Sequence, residues 1–478
     1  MTELWQWTAT ELAQSIASGR ISSLEATESA LTRMSEVNPA VNAVVDPLPG
    51  QAMNEAKNAD KARRAGAPLG PLHGVPITVK INVDYGGRAT TNGVVAFKDA
   101  IAPDDSAVVR NLRRAGAVII GRTNTPSFSM RRFTSNDLHG TTFNPFNREI
   151  TPGGSSGGAA VATAVGIGAF GHGNDIGGSI RYPAYCCGLY GLRPSVGLIP
   201  SYNPSQRSER MIVAQIASVQ GPIARCVADL RRAMNAMMGP DPRDVWQVPA
   251  PPIEPGPAHR PCRVAMLAET DDCPADPDVS RAIRKAGAIL AEAGYEVEEV
   301  QPPSMQTAAD LWRLVLGNEM RSGLVPMAEK LGDAGIKKNL RNLLEGIPDL
   351  DRTEWMVAFA RRADLLREWQ LFFQDHPIVL TANTWCLPMV VDLDQREDLN
   401  VDLFYRQVAP NTSLPFLGLP ALAVPMGFVG TIPVGVQLIA GRFEDNLLLA
   451  AGEVLERATE PRDPVDPIWQ SASSSGVR

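Results

Sequence analysis

The amino-acid sequence predicts an α/β fold, because helical and strand-like patterns alternate along the chain. Residues 104–120 contain apolar side chains at helical spacing that stop at Gly116 and pass into a short apolar run, typical of a buried strand. In the second half, strand-like residues 264–267 precede a helical pattern at 279–293 and a further strand-like segment at 295–300. Both successions are typical of α/β proteins.

Two capping boxes predict helices within residues 5–60. Thr8 and Ser22 are each followed three positions later by glutamate, and then by apolar residues at helical spacing. We expect the second helix to break at Asn38-Pro39, because proline lacks the N–H group that a helix interior requires.

The rest of the chain divides into segments of different composition. The proline-rich stretch 240–261 predicts a linker or surface crossing, since neither a helix nor a central strand continues through it. Residues 305–375 are rich in helix formers and predict a helical insertion or cap. Strand-like residues 378–381 open a C-terminal core at 376–458, and residues 459–478 predict a frayed tail.

Composition and charge exclude several classes of protein. The chain has 478 residues, of which 44% are apolar and 20% charged, as expected for a soluble enzyme with a substantial core. The formal charge is −7, and no basic cluster is longer than a pair such as Arg131-Arg132, which we expect on a solvated helix face. The sequence therefore predicts no nucleic-acid partner.

Cysteine usage and the N-terminus indicate the compartment. The six cysteines form no C-x-x-C pair, which argues against structural zinc and a disulfide framework and favours a reduced setting. The N-terminus lacks a leader pattern, and no run of about 18 apolar residues occurs. We expect a cytoplasmic protein without a membrane partner.

Residues 77–84 alternate between apolar and polar side chains, which predicts a strand with Lys80 on its polar face. On periodicity alone, the favoured interpretation is a solvated lysine on an exposed edge strand, because such lysines far outnumber catalytic ones. The alternation by itself therefore assigns no chemistry to Lys80.

Two short glycine motifs match known patterns only in part. Residues 153–157 have the form G-x-S-x-G, which would make Ser155 the nucleophile of an α/β-hydrolase elbow, but a polar, proline-ended segment precedes them instead of a strand. Residues 166–171 match G-x-G-x-x-G, but a small-residue helix precedes them and no acidic residue follows at the required distance. We interpret the second match as chance.

A longer motif at 151–194 is far more specific. It reads Thr151-Pro152-Gly153-Gly154-Ser155-Ser156-Gly157-Gly158, then Gly173-Asn174-Asp175-Ile176-Gly177-Gly178-Ser179-Ile180-Arg181-Tyr182-Pro183-Ala184, then Cys187-Gly188-Leu189-Tyr190-Gly191-Leu192-Arg193-Pro194. This stretch closely resembles the signature of the amidase signature family, and residues 74–80, 121–126, 418–421 and 433–438 support the resemblance. The resemblance implies one large domain over 1–478, with a signature core at 70–235 and a central mixed β-sheet covered by helices on both faces.

The resemblance also assigns catalytic roles. It makes Ser179 the nucleophile, Ser155 the bridging serine after a cis peptide from Gly154, and Lys80 the base of a Ser-cisSer-Lys triad. It gives the oxyanion hole to the backbone amides of Ile176, Gly177, Gly178 and Ser179. One departure is Ile81, which stands where the family commonly has aspartate, so carboxylate tuning of the lysine is in doubt.

These residue types suit attack on an amide carbonyl. Lysine acts as a base only when neutral, which requires burial to lower its pKa from about 10.4.

Asp175 and Arg181 flank the nucleophile and are expected to brace its turn, with two separate surface charges as the alternative. The substrate pocket is expected to be lined by Phe128, Ser129 and Met130, which lie between two family blocks.

The resemblance implies a serine hydrolase, free of metal and cofactor, that cleaves the C–N bond of a small-molecule amide through an acyl-enzyme, with carbamates (urethanes) and aryl esters as further substrates. Three alternatives stay open: a glutaminase-like subunit of a tRNA-dependent amidotransferase, a catalytically silent binding module on the same scaffold, and the α/β-hydrolase elbow. A monomer and a homodimer are both compatible with the sequence.

Overall fold

The computed structural model describes residues 3–206, 208–254, 261–460 and 463–469. Most of the predicted tail and part of the predicted proline-rich crossing therefore lie outside the described residues. Among the described helices, none has both the length and the apolar character that crossing a bilayer demands.

One large mixed β-sheet forms the centre of the fold, and a two-stranded ribbon lies outside it. In chain order, the strands of the described residues are β1 (Val44–Pro47), β2 (Pro76–Lys80), β3 (Val118–Thr123), β4 (Ser135–Asn136), β5 (Gly140–Thr141), β6 (Phe170–Asp175), β7 (Tyr190–Arg193), β8 (Val219–Ala224), β9 (Arg263–Met266), β10 (Glu296–Glu299), β11 (Ile378–Ala382), β12 (Ala421–Val429) and β13 (Ile432–Ala440).

The large sheet has 11 strands in the order β1-β3-β2-β6-β8-β7-β12-β13-β11-β9-β10, and β4 pairs with β5 in the ribbon. Its parallel pairs lie towards the two ends: β2 with β3 and β6, and β9 with β10 and β11. The strands between them pair antiparallel. The prediction of an α/β fold with a central mixed sheet is therefore confirmed.

The helices of the described residues alternate with these strands. They are α1 (Ala9–Ser18), α2 (Ser23–Val41), α3 (Pro49–Arg64), α4 (Ala107–Arg114), α5 (Gly157–Ala164), α6 (Arg181–Cys186), α7 (Ile212–Ala217), α8 (Val227–Met237), α9 (Pro277–Glu292), α10 (Met305–Ser322), α11 (Leu324–Leu331), α12 (Ala334–Leu344), α13 (Arg352–Asp375), α14 (Val401–Gln407), α15 (Ala409–Leu417) and α16 (Asp445–Arg457).

Helices cover both faces of the sheet, as successive residues of β3 show. Val118 and Ile120 belong to an apolar core shared with α2, α3 and α5. Ile119, which points to the opposite face, belongs to a core shared with α1, α4 and α8. The predicted two-sided covering of the sheet is therefore present.

The interpretation of β2 as an exposed edge strand is wrong. β2 lies between β3 and β6, and all of its residues are buried. The strand ends at Lys80, so the alternation predicted over 77–84 stops halfway. Because α5 packs against β2, protein and not water covers Lys80.

Local signals near the N-terminus give one correction. The capping boxes at Thr8 and Ser22 are both present. The predicted break at Asn38-Pro39 is wrong, because α2 continues to Val41. Pro39 stands in the last turn of the helix, where few following residues depend on it, and the helix ends at Asn42 with a φ of 49°.

The predicted helical segment at 305–375 is present as α10 to α13. These helices form an apolar core of their own, which also includes residues of α7, α14 and α15. Trp312 of α10 lies in this core and reaches the turn that follows β6, where its indole Nε1 donates to the Ile176 carbonyl at 2.9 Å.

Candidate active site

Lys80 is the last residue of β2, and its side chain is completely buried. Its Nζ atom lies 2.7 Å from Ser155 Oγ, 3.0 Å from Ser156 Oγ and 2.8 Å from Asn174 Oδ1. All three partners are uncharged oxygens. The central position of β2 thus brings the Lys80 amine into the glycine-rich stretch singled out in the sequence.

The partners of Lys80 suit a neutral amine. An –NH₂ group offers two hydrogens and one lone pair, and Asn174 Oδ1 can only accept. If Ser156 Oγ accepts the second hydrogen, the lone pair is left for the Ser155 hydroxyl. Burial lowers the pKa of Lys80 well below its usual 10.5, and the charge of Asp175 opposes this only in part.

A neutral imidazole lies against the Lys80 backbone. The Lys80 N–H donates to His172 Nδ1 at 3.4 Å, and His172 Nε2 lies 2.8 Å from Gln220 Oε1. Burial lowers the pKa of His172 to about 4, so the ring is uncharged at neutral pH. In the described ranges, no three His, Cys, Asp or Glu side chains are grouped so as to hold a metal ion.

Ser155 and Ser156 stand just before α5, and the Gly154–Ser155 peptide bond is cis. Gly154 has no room for a side chain, because a Cβ atom would lie 2.5 Å from the backbone oxygen of Arg131. The strand that precedes Ser155 is β5, which ends at Thr141. The strand-turn-helix that an α/β-hydrolase elbow requires is therefore missing at Ser155.

Ser179 lies in the turn between β6 and α6 and is partly exposed. Ser155 and Ser179 line the same cavity, which has a volume of about 170 Å³. Among the described residues, no hydrogen bond joins the hydroxyls of Ser155 and Ser179. Hydrogen bonds between catalytic groups are often long without substrate and shorten when substrate binds. The structure thus brings Lys80, Ser155 and Ser179 together around one cavity.

The backbone amides of the turn have different partners. Gly178 N–H donates to Asp175 Oδ1 at 2.8 Å, and Ile180 N–H donates to Asp175 Oδ2 at 3.2 Å. The amides of Ile176, Gly177 and Ser179 have no acceptor within the described residues. Three of the four amides assigned to the oxyanion hole are therefore available to a ligand, and the amide of Gly178 is occupied.

Two side chains from other segments fix the carbonyl groups of this turn. Trp312 Nε1 donates to the Ile176 carbonyl at 2.9 Å, and Arg132 Nη2 donates to the Gly177 carbonyl at 2.8 Å. In a trans peptide the C=O and the following N–H point in opposite directions. Trp312 thereby directs the Gly177 amide away from itself, and Arg132 directs the Gly178 amide towards Asp175.

Asp175 anchors the turn through buried ion pairs. Arg181 Nε and Nη2 each lie 3.1 Å from a carboxylate oxygen of Asp175, and Arg193 Nη1 lies 3.5 Å from Oδ1. Burial alone would raise the pKa of Asp175, but the two guanidinium groups hold it well below its usual range. Asp175 and Arg181, predicted to flank the nucleophile, form a fully buried pair and not two separate surface charges.

Gly178 is the position in the turn that tolerates glycine only. Its φ is 107°, in the region that favours glycine, and a Cβ atom would lie 2.0 Å from Asn411 Oδ1. A side chain at this position would therefore displace either α15 or the residues next to Ser179.

The residues predicted to line the substrate pocket lie at the cavity that contains Ser155 and Ser179, and their contact with substrate stays a prediction. Phe128, Ser129 and Met130 line the cavity of about 170 Å³. A second cavity, of about 50 Å³, meets the first at Ser179, and Ser129 and Met130 line both. The larger cavity also contains Ser155 and extends to Arg210, whereas the smaller one is lined by residues from α10, α12 and α14.

Sequence reasoning missed Asn174 and Arg132 of this site, and it placed Trp312 only within the helical cap. Asn174 lies within the quoted motif and gave no separate signal. Trp312 is distant in sequence, and only the fold places it at the turn. The expectation that Arg131-Arg132 lies on a solvated helix face is wrong: these residues follow the short 3-10 turn Ser127–Ser129 and line the smaller cavity, because α12 and α14 cover them.

Comparison with known proteins identifies the family. The amidase family profile matches residues 25–449. An indoleacetamide hydrolase of Bradyrhizobium diazoefficiens is 45% identical over 458 residues, covering 95% of this chain and 86% of that protein. A glutamyl-tRNA(Gln) amidotransferase subunit of Symbiobacterium thermophilum is 32% identical, covering 95% of this chain and 96% of that protein.

A solved structure agrees with these matches. The crystal structure of a bacterial aryl acylamidase, which belongs to the amidase signature enzymes, superposes with a TM-score of 0.83 at 26% identity and covers 99% of both chains. The fold, the profile match and the sequence identities agree over nearly the whole chain. The chain therefore belongs to the amidase family, whose members are hydrolases that act on carbon–nitrogen bonds.

Proposed function

We propose that this amidase cleaves carboxylic amides with Ser179 as nucleophile, Ser155 as proton relay and Lys80 as base. The observation that carries the proposal is the Lys80 amine, which is completely buried, bonded to uncharged oxygens and 2.7 Å from Ser155 Oγ. Such surroundings favour the neutral form of a lysine, and this form can accept a proton.

In the proposed reaction, the neutral Lys80 amine takes the proton of Ser155 while Ser155 takes that of Ser179. Ser179 Oγ then forms a bond to the carbonyl carbon, and the carbonyl oxygen becomes negative. The free amides of Ile176, Gly177 and Ser179 can donate to this oxygen. The proton returns through Ser155 to the leaving nitrogen, the C–N bond breaks, and water hydrolyses the acyl-enzyme by the same relay.

The similar proteins suggest the first substrates to test. Hydrolysis of indole-3-acetamide is supported by the Bradyrhizobium relative, and hydrolysis of an anilide by the aryl acylamidase. Carbamates and aryl esters also contain a carbonyl group that Ser179 can attack with the help of Ser155 and Lys80. We therefore include both classes among the proposed substrates. With a carbamate, the covalent intermediate is a carbamoyl-enzyme.

A second candidate is a glutaminase-like subunit of an amidotransferase. The relative from Symbiobacterium, which matches along 96% of its length, supports this candidate. Partner subunits that co-purify with the chain, together with glutamine as the preferred substrate, would favour it over a free-standing amidase.

A covalent label tests the assignment of the nucleophile. After treatment with a fluorophosphonate, peptide mapping is expected to find the adduct on Ser179. An adduct on Ser155 would support the elbow alternative and contradict the proposal. Release of 4-nitroaniline from 4-nitroacetanilide is expected to fall at least about 10⁴-fold in Ser179→Ala and about 100-fold or more in Ser155→Ala, with melting temperatures close to that of the wild type.

A further inference from the structure

Two consecutive arginines near Ser179 differ in their partners. Arg131 is neutralised, because its Nη2 lies 2.7 Å from Asp392 Oδ1 and 2.7 Å from Asp394 Oδ1. Within the described residues, Arg132 forms no ion pair, and the acidic side chain near it, Asp175, is already paired with Arg181 and Arg193. Arg132 is half-buried, its guanidinium lies over the Tyr182 ring at 5.9 Å from the ring centre, and no carboxylate among the described residues neutralises its charge.

The guanidinium of Arg132 is also incompletely hydrogen-bonded. Its Nη2 donates to the Gly177 carbonyl at 2.8 Å, but its Nη1 is buried and has no partner among the described residues. A buried donor without an acceptor destabilises a protein, most of all when it is charged. The unused Nη1 donors therefore indicate that a ligand supplies the acceptor.

The smaller cavity, of about 50 Å³, offers the place for such a ligand. Arg132 and Ser179 line it together, and no aspartate or glutamate among the described residues lines it. A water molecule occupies about 10–15 Å³ on this scale, so the cavity holds a group of about four non-hydrogen atoms. A carboxylate on a short stem has this size and the required charge.

The geometry indicates which part of a substrate enters this cavity. In the proposed reaction, the leaving nitrogen receives its proton from Ser155, and Ser155 lines the larger cavity but not the smaller one. The leaving group therefore faces the larger cavity. The acyl part, on the other side of Ser179, faces Arg132.

We infer that Arg132 selects amides whose acyl part carries a carboxylate a few atoms from the scissile carbonyl, such as the half-amides of short dicarboxylic acids. This inference rests on the proposed function and narrows its substrate class. A guanidinium that binds a carboxylate in a buried site gives strong selectivity, because a neutral analogue leaves its N–H groups unpaired.

The test compares two 4-nitroanilides that share their leaving group. The succinyl anilide carries a carboxylate where the butyryl anilide carries a methyl group. In the wild type, kcat/KM is expected to be at least about 10-fold higher for the succinyl anilide. In Arg132→Gln, this preference is expected to disappear, with a loss of about 100-fold on the succinyl anilide. Arg132→Gln also releases the Gly177 carbonyl, which lowers the rate on both substrates alike. The ratio of the two kcat/KM values cancels this common loss.

Arg210→Gln is the matched control, because Arg210 lines the larger cavity. Its preference for the succinyl anilide is expected to equal that of the wild type. Equal rates on both anilides in the wild type, an unchanged preference in Arg132→Gln, or a preference lost in Arg210→Gln would each overturn the inference. Hydrolysis of the butyryl anilide at the higher rate would do so as well, while leaving the proposed amidase activity intact.

Binding gives a readout that needs no turnover. Titration calorimetry with succinate is expected to give a dissociation constant at least about 10-fold weaker for Arg132→Gln than for the wild type. If no amide is cleaved, the proposed function fails, and this titration still decides the inference. Absent binding, or equal binding by both proteins, overturns it.

Discussion

At the residue scale, the charge of Lys80 depends on the oxygens that surround it. Asn174 Oδ1 lies 2.8 Å from Nζ and can only accept, so it fixes one N–H of the amine. Asn174 is itself held, because its Nδ2 donates to Asn82 Oδ1 at 2.9 Å. In the proposed reaction, Asn174 therefore acts as a positioning residue that keeps the lone pair of Lys80 directed to Ser155.

A carboxylate at position 174 is expected to change the protonation of Lys80. In Asn174→Asp, a negative charge in contact with the amine favours the ammonium form and raises the pKa of Lys80. In the proposed reaction the neutral amine is the active form, so activity is expected to rise with pH through this pKa. The acid limb of the kcat/KM profile for 4-nitroacetanilide is therefore expected to move to higher pH, with much of the rate recovered above it.

Asn174→Ala separates this effect from simple loss of the hydrogen bond. It introduces no charge, so the rate is expected to fall at every pH without movement of the acid limb to higher pH. An acid limb in Asn174→Asp that coincides with the wild type would show that Lys80 does not titrate in the reaction.

The residues of the site differ in how far the sequence could predict them. Ser155, Ser179 and Lys80 belong to motifs within short stretches, so a resemblance was enough to single them out. Periodicity misplaced Lys80, because its burial depends on β6 and α5, which come far later in the chain. The prediction that Arg131-Arg132 lies on a solvated helix face was wrong. The aspartates that pair with Arg131 lie 261 and 263 positions further along the chain, so no local pattern indicates this pairing.

At the element scale, the turn between β6 and α6 depends on a helix outside the signature core. Trp312 of α10 donates to the Ile176 carbonyl at 2.9 Å across a separation of 136 residues. The contact couples the helical segment 305–375 to the amides proposed for the oxyanion hole, because it orients the peptide that contains the Gly177 N–H. If the proposed reaction holds, this segment is expected to affect the rate of catalysis as well as to cover the cavity.

Removing the indole N–H alone tests that coupling. Trp312→Phe retains an aromatic ring in the apolar core but cannot donate to the Ile176 carbonyl. A neutral hydrogen bond contributes about 1 kcal/mol, so kcat on 4-nitroacetanilide is expected to fall about 5- to 10-fold while KM changes little. Steady-state kinetics on purified protein measures both.

Trp355→Phe is the control for the same helical segment. Trp355 Nε1 donates to the Val315 carbonyl at 3.1 Å, within the helical segment and away from the turn. Its kcat is expected to match that of the wild type. Equal losses in both variants would mean that the segment was only loosened, and the coupling would be rejected.

Local signals predicted some ends of the elements correctly and others wrongly. The capping boxes and Gly116 lie within a few residues of the structure they specify, and each was correct. The predicted end of α2 was wrong, because the free-energy cost of Pro39 inside the helix depends on how many turns follow it. The end of β2 at Lys80 was also missed, since hydrogen bonds with β3 and β6 determine where a strand stops.

At the scale of the whole molecule, α16 is tied to the signature core by a half-buried carboxyl group. Glu456 of α16 accepts a hydrogen bond from the backbone N–H of Val227, at the start of α8, at 3.0 Å. The contact spans 229 residues of the chain. Burial, with smaller contributions from Glu453 and Asp229, raises the pKa of Glu456 from 4.5 to about 7.

This raised pKa is expected to make stability depend on pH. Between pH 4.5 and about 7 the folded protein holds the Glu456 proton while the unfolded chain has released it, so stability falls as pH rises through this window. Glu456→Gln keeps the acceptor oxygen and cannot ionise. It is expected to match the wild type near pH 4.5 and to exceed it at pH 8 by about 1 kcal/mol, after allowance for solvent screening.

Thermal unfolding across this pH range measures the effect, which corresponds to about 1–2 °C at pH 8. Glu292→Gln, at an exposed position of α9, is the control and is expected to follow the wild-type curve. A lower melting temperature for Glu456→Gln at pH 8 would mean that the ionised carboxylate stabilises the joint between α16 and α8. That outcome would reverse the sign of the predicted linkage, because the folded state would then favour the charged form of Glu456.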